Sequence, residues 1–318
     1  MMRYLKRLVA LVTFVAGLAC LCIGASAVVT PKNNTTNSGI EEESANGILG
    51  EADNSIDVLV LGDSESYSAI SPMQIWKETG YTSYICGSSG QSLDYTKALL
   101  LRALEKQSPK VVILETDTLY RDVTPANAFI SAMGNVFSVF RYHNRWKTLS
   151  VSDLTTKPQY TWTSAFKGFD YCTIVDGIQN SDYMQDSGQT ATIKETNQSY
   201  AKQIQEICAE HGAELILVST PSPVNWNMAR HNGVQELATQ LCCRYIDLNQ
   251  LNSEVGIDWT KDTRDKGDHL NYYGATKVSH YLATYLYKRQ ILTDHRSDTA
   301  YASWSSSLNT YLSETKSA

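Results

Sequence analysis

Gly62-Asp63-Ser64 follows directly on an apolar run, Ile56-Asp57-Val58-Leu59-Val60-Leu61. A glycine allows the sharp turn needed after a buried strand, and the next serine is then presented at the strand's carboxyl end with its amide free to face a ligand. A serine hydroxyl becomes a useful nucleophile only when a base takes its proton, and that base is usually a histidine oriented by a carboxylate. Of the six histidines, His269 stands out: Asp265 and Asp268 precede it and a helical pattern, 273–288, follows. His143 and His231 sit in polar, aromatic surroundings that could face a pocket. His211, His280 and His295 read as solvated residues on helix surfaces or ends. Together these residues suggest acyl transfer through a serine.

The elements that must position them alternate. Short β-rich runs at 56–61, 82–86, 111–114, 215–218 and 244–248 are separated by amphipathic stretches at 92–106, 193–211 and 230–242. Such alternation predicts an open parallel sheet with helices on both faces, and ligands gather at the carboxyl ends of its strands. Residues 120–189 interrupt the rhythm with an aromatic-rich insertion, expected to form short helices and to serve as a lid or substrate wall, or simply to pack on the sheet edge. Loop 220–227, with Trp226 and Asn227, falls at the same rim. Trp226, Tyr142, Trp146 and Trp162 are candidates to stack on a sugar ring, against core packing for each taken singly, and His143 and Asn227 join the candidate substrate-binding set.

Gly62-Asp63-Ser64, Gly90 after the second strand, and Asp265 with His269 near the end resemble the blocks of the SGNH (GDSL-type) hydrolase superfamily. More narrowly, the chain resembles exported SGNH-like proteins related to those that O-acylate bacterial surface polymers beside a membrane-bound acyltransferase. The resemblance spans about 56–290. It implies a flavodoxin-like three-layer α/β/α sandwich, Ser64 as nucleophile, His269 as general base, oxyanion donors at the amides of Ser64 and Gly90, and neither metal nor organic cofactor.

Two positions depart from the family pattern. The triad acid is expected three residues before the histidine, where this chain has Lys266. Asp265, four residues before, would share a side with His269 on a turn of near-helical pitch and is the preferred acid. Asp268 is the alternative acid, or a helix N-cap. In the block after the third strand the family's oxyanion asparagine is replaced by Asp117. An ionised Asp117 would repel an oxyanion; it could instead be protonated, bind a substrate hydroxyl, or mark a weakened hydrolase.

Composition sets the wider frame. The chain has 318 residues, 42% hydrophobic and 19% charged, with a formal charge of −6, which fits a globular protein and leaves no basic face for nucleic acid. Arg3, Lys6 and Arg7 precede an uncharged run from Leu8 to Val29, long enough to cross a bilayer as a helix. Residues 1–29 therefore read as a signal peptide or signal anchor, with a cleavage option at Ala25-Ser26-Ala27; removing the three positive charges would take the formal charge to −9. Residues 30–55 read as a polar linker holding the domain clear of the membrane, 56–292 as the catalytic domain and 293–318 as a C-terminal tail. Of the seven cysteines Cys20 and Cys22 lie in the signal segment, and Cys86, Cys172, Cys208, Cys242 and Cys243 show no metal-ligand spacing and read mainly as small buried residues. The expected activity is a serine esterase or O-acyltransferase, for acetyl groups, acting on an acylated glycan or small acyl ester outside the cytoplasm. The competing expectation is a catalytically weakened glycan-binding scaffold assisting a membrane O-acyltransferase.

Overall fold

A computed structural model describes residues 2–179, 182–186 and 188–316. Asn180, Ser181 and Ser187 of the insertion lie outside the described residues, as do Met1, Ser317 and Ala318.

The apolar runs form five strands: β1 (Val58–Gly62), β2 (Ser83–Gly87), β3 (Val111–Glu115), β4 (Glu214–Ser219) and β5 (Arg244–Asp247). β1, β2 and β3 are buried along their whole length, which is why they read as unbroken hydrophobic runs. The sheet is parallel throughout, in the order β2-β1-β3-β4-β5. This is a flavodoxin-like order, in keeping with the fold that the family resemblance implies, and its connections reverse direction at the β1/β3 crevice. Register brings the strand ends into line. Gly62 pairs with Gly87, Leu61 with Leu114, Glu115 with Val218, and Ser219 with Asp247.

Helices enclose the sheet. After the N-terminal helix α1 (Met2–Val29) and a short α2 (Glu43–Asn46), β1 leads into α3 (Ser64–Ala69) and α4 (Pro72–Thr79). The chain continues through α5 (Leu93–Leu104), α6 (Pro125–Val136), α7 (Val139–Tyr142), α8 (Glu195–Glu210), α9 (Met228–Leu241), α10 (Asn252–Val255), α11 (Tyr272–Arg289) and α12 (Ala302–Thr315). α11 packs on α3 and α4, with α12 outside α4, while α5 packs on α8, which in turn meets α9. Side-chain caps set several starts: Ser71 before Pro72 of α4, Asn227 at α9, and Asn271 accepting from the amides of Tyr273 and Gly274 at α11.

Three stretches differ from the sequence expectation. Residues 30–55 are no free tether, because Ile40, Ala45, Ile48 and Leu49 are buried and α2 packs on β2. Local composition hid this: a few apolar residues among many polar ones show no periodicity, yet each finds a place in the core. The end of α1 consequently lies against the domain. Residues 293–318 likewise are no tail, since Trp304 and Tyr311 of α12 are buried and Trp304 lies 5.4 Å from the Trp76 ring. The insertion does form short helices, but it divides its work. α6 packs on α5, α7 meets α1, and the 162–169 stretch packs on the 34–51 segment, with Lys167 paired to Glu51 at 2.7 Å. Both ends of the insertion reach the rim at the carboxyl ends of the strands: Arg121 bonds to Asp63 and Asp117, and the amides of Asp176 and Ile178 donate to Thr263 and Trp259 while that of Lys266 donates to Asp176.

Because Trp304 is buried and has the Lys167 ammonium 4.7 Å above its ring, Trp304→Ala is expected to cost about 3–5 kcal/mol. Urea unfolding checks this, and an unchanged midpoint would return 293–318 to the status of a tail.

Candidate active site

The turn from β1 into α3 is built on a close approach. A Cβ at Gly62 would lie 2.6 Å from Glu115 Cβ and 3.0 Å from Ser66 Cβ, so a side chain there would push β1 and β3 apart. Asp63 caps α3, accepting from the Glu65 amide at 3.1 Å. Ser64 is the first residue of α3 and is 8% exposed. Its amide belongs to the first helical turn, where donors have no partner within the helix. Gly90 takes φ +60° with open space where a Cβ would point, and its amide has no acceptor among the described residues.

His269 is held on one side. Its Nδ1 lies 2.7 Å from Asp265 Oδ2, and its backbone amide donates to Asp265 Oδ1 at 2.6 Å. Asp268 Oδ2 stands 3.8 Å from the same Nδ1, while its Oδ1 accepts from Asn225 Nδ2 at 2.6 Å. Asp265 rather than Asp268 therefore meets the imidazole. The means differ from the near-helical pitch expected: Lys266 and Gly267 both have positive φ, +59° and +87°, forming a tight turn that folds Asp265 back onto His269. Thr263 Oγ1 braces that turn, accepting from the Gly267 amide and donating to the His269 carbonyl. Among the described residues no hydrogen bond joins Ser64 Oγ to His269; such bonds often tighten only around bound substrate.

Acidic groups crowd the rim, and the sequence reading missed most of them. Asp63, Glu65, Glu115 and Asp117 are all buried. Asp117 accepts from Arg121 Nη2 at 2.6 Å and from Arg230 Nη1 at 2.5 Å, and Arg121 also reaches Asp63 at 2.7 Å. Asp117 is thus an acceptor for two guanidiniums, which corrects its place in the oxyanion set: it offers no donor there. Burial pushes Glu65 well above the usual carboxylate range, against the opposing hydrogen bond from Asn225. Burial does the same to Glu115, reinforced by the charge of Asp63. Asp63 is pushed up to about 6 by burial and then by Asp117, with Arg121 opposing. Asn225 ties the parts together, donating to Glu65 Oε1 at 2.7 Å as well as to Asp268. The only sequence signal for this network was Arg121 standing four residues after Asp117. Glu65, Asp268 and His269 each bring one ligating atom within 4.8 Å of the others, so these three residues are where a metal ion would fit.

The candidate substrate residues are placed differently. Trp226 is buried, its Nε1 donating to Asp247 Oδ2 at 3.1 Å, and Asn227 spends its side chain capping α9. Tyr142 is buried beside α1, and His143 is exposed with Nδ1 3.1 Å from the Phe140 carbonyl. Neither bonds to Ser64, Gly90 or His269. Trp162 packs beside Gly47 and Gly50, and Trp146 is 67% exposed. His231 pairs with Asp247 at 2.7 Å, away from Asp265. Cys86 and Cys208 are buried as expected, whereas Cys172 and Cys243 are half-buried and Cys242 is exposed.

Two outcomes follow from this geometry. Asp265→Asn should lower kcat by on the order of 10³-fold or more, as loss of the orienting carboxylate does in serine triads, and Asp268→Asn should cost less than about tenfold; steady-state kinetics on an activated ester decides between the two acids. Between about pH 4 and 6 the folded chain keeps a proton on Asp63 that the unfolded chain has already released. The stability of the wild type relative to Asp63→Asn should therefore fall as pH rises through that window and level off above it, measured by urea midpoints.

No family model matches the chain, and no curated protein matches it. Among solved structures it is similar to a lipase/acylhydrolase from Enterococcus faecalis, at 10% identity over 76% of this chain and 100% of that one, with a TM-score of 0.41. An acetyl xylan esterase is 15% identical over 74% of this chain and 100% of that one, TM-score 0.37. A GDSL-like lipase from Bacteroides thetaiotaomicron is 14% identical over 73% and 88%, TM-score 0.35. At TM-scores this low the likeness carries no argument about this chain's chemistry, which rests on its own side chains.

Proposed function

We propose that this chain is a serine-dependent acyl ester hydrolase or O-acyltransferase working outside the cytoplasm on acylated carbohydrate, with Ser64, His269 and Asp265 as its triad. The observation that carries the reading is the 2.7 Å contact of His269 Nδ1 with Asp265, on a loop tied through Asn225 to Glu65, the neighbour of Ser64. Holding Nδ1 leaves Nε2 to serve the serine. Ser64 Oγ attacks the acyl carbon and its proton passes to Nε2. The resulting oxyanion takes the amides of Ser64 and Gly90. Collapse breaks the ester bond, and the departing alcohol carries away the proton from His269. Water or a sugar hydroxyl then gives its proton to Nε2 and attacks the acyl-serine, releasing acid or a new ester and returning the proton to Ser64.

The surroundings support a short acyl group and a polar acceptor. Ser64 is nearly closed over, which favours acetyl over a long chain. Beside Gly90 a cavity of about 290 Å³ is lined by Ser88, Ser92, Asp94, Asn127 and Ser131. Asp94 accepts from the hydroxyls of both Ser92 and Ser131 at 2.6 Å, a lining suited to sugar hydroxyls. The uncharged part of α1 after a basic start supports an extracytoplasmic place for the domain, held by a span at the membrane.

One observation favours a second reading, a weakened enzyme or scaffold beside a membrane O-acyltransferase: Asp117 supplies no third oxyanion donor. A missing donor commonly costs ~10²–10³ in rate. A fluorophosphonate probe separates the two. Labelling should vanish in Ser64→Ala and fall sharply in His269→Ala, with acetyl esters turned over faster than long-chain esters and activity retained in EDTA. Folded protein that takes no label favours the scaffold, and loss of activity on chelation would assign Glu65, Asp268 and His269 to a metal instead.

A further inference from the structure

A cavity of about 600 Å³ lies away from Ser64, where α1 meets the domain. One wall is made by Ile23 and Ser26 of α1 and by Thr30 just beyond its end, positions three and four apart. The opposite walls carry Arg102 of α5 and Arg141 of α7. This junction is a built contact. Thr30 Oγ1 meets Ser138 Oγ at 2.6 Å, the Val139 amide donates to Ser26 Oγ at 3.1 Å, and Arg145 Nη1 donates to the carbonyls of Val29 and Thr30.

Two guanidiniums here lack a counter-charge. Arg102 donates through Nη1 to Asn46, but its Nε and Nη2 are buried without a partner. Arg141 donates to Asn135 at 2.7 Å. Neither has a carboxylate within salt-bridge distance among the described residues, and Glu105, which also lines the cavity, is exposed. Burial, and after it the charge of Arg102, depresses the pKa of Arg141. Two unneutralised guanidiniums facing one cavity are chemistry for a tetrahedral oxyanion, which takes paired N–H donors from each.

The level of the cavity identifies what presents that anion. A span starting at Leu8 needs about 20 residues to cross the hydrocarbon and so ends near Ala27, which puts Ile23 in the outer leaflet, Ser26 at its edge and Thr30 among the headgroups. Val136, Trp146, Val151 and Leu154, each at least 65% exposed, lie on the elements that meet the end of α1 or directly beside them, where an apolar surface would otherwise face water. We propose that this cavity binds a phosphate group carried by a membrane lipid, between Arg102 and Arg141, with the lipid's chains running along the Ile23 face of α1. The proposal rests on the anchored reading given above.

Full-length chain made in a cell-free reaction, so that residues 1–29 are kept, tests it in detergent micelles by native mass spectrometry. Wild type should retain phosphatidylglycerol and not digalactosyldiacylglycerol, and the double variant Arg102→Gln/Arg141→Gln should lose retention by about tenfold or more, with ester turnover and melting temperature unchanged. Ser26→Phe, which fills the cavity from the α1 side and leaves both arginines in place, should lose retention as well. Equal retention by wild type and both variants, or equal retention of the galactolipid, overturns the proposal. Inorganic phosphate that binds to the wild type and not to the double variant, with no lipid retained, keeps the phosphate site and overturns the lipid as its source. Liposome flotation of the same preparation reads the span alone: a chain that does not float defeats the anchored reading, whereas one that floats without retaining phosphatidylglycerol defeats the cavity.

Discussion

Arg121 and Arg230 allow this fold to bury acids at the rim formed by the carboxyl ends of its strands. Four carboxyl groups meet where β1 and β3 end, and burying even one ionised carboxylate without a partner costs several kcal/mol. The two guanidiniums take both oxygens of Asp117, and Arg121 reaches Asp63 as well. Glu65 and Glu115, with no cation beside them, are driven towards the neutral form instead. Two paired acids thus stand against two arginines, while burial favours the neutral form of the two further acids. Gly62 depends on the same crowding, since its missing side chain is what lets Glu115 approach β1.

This arrangement shapes the chemistry proposed for Ser64. A rim that carried four negative charges would oppose the oxyanion formed during acyl transfer. Pairing two acids with arginine and favouring the neutral form of the other two lowers that penalty for the proposed reaction. His269 is oriented from the far side by Asp265, outside the arginine network. Asn225 joins the two halves by donating to Glu65 and Asp268 together, so the helix that carries Ser64 and the loop that carries His269 are held in register by one amide.

The remainder of the chain serves position. The insertion is split between α1, the 34–51 segment and the loop that carries Asp265, so it couples the end of the domain that meets α1 to the rim. α12 closes the opposite face over α4. Neither role shows in local composition: a buried Trp304 in a serine-rich helix, or Ile48 among polar neighbours, gives no periodic signal, because each fills a gap made by residues distant in sequence.

The parallel sheet, its helices and the serine turn were legible because hydrophobic periodicity and a glycine after a buried strand are local consequences of backbone geometry. Asp265 was legible too, through its distance from His269, although the turn that joins them is made by Lys266 and Gly267 rather than by helical pitch. The buried acids with their two arginines, the core positions of Trp226 and of segment 34–51, and the paired guanidiniums beside α1 were not. Charge balance and burial are properties of groups brought together from separate elements, and a linear sequence does not state which charges will meet once water is excluded.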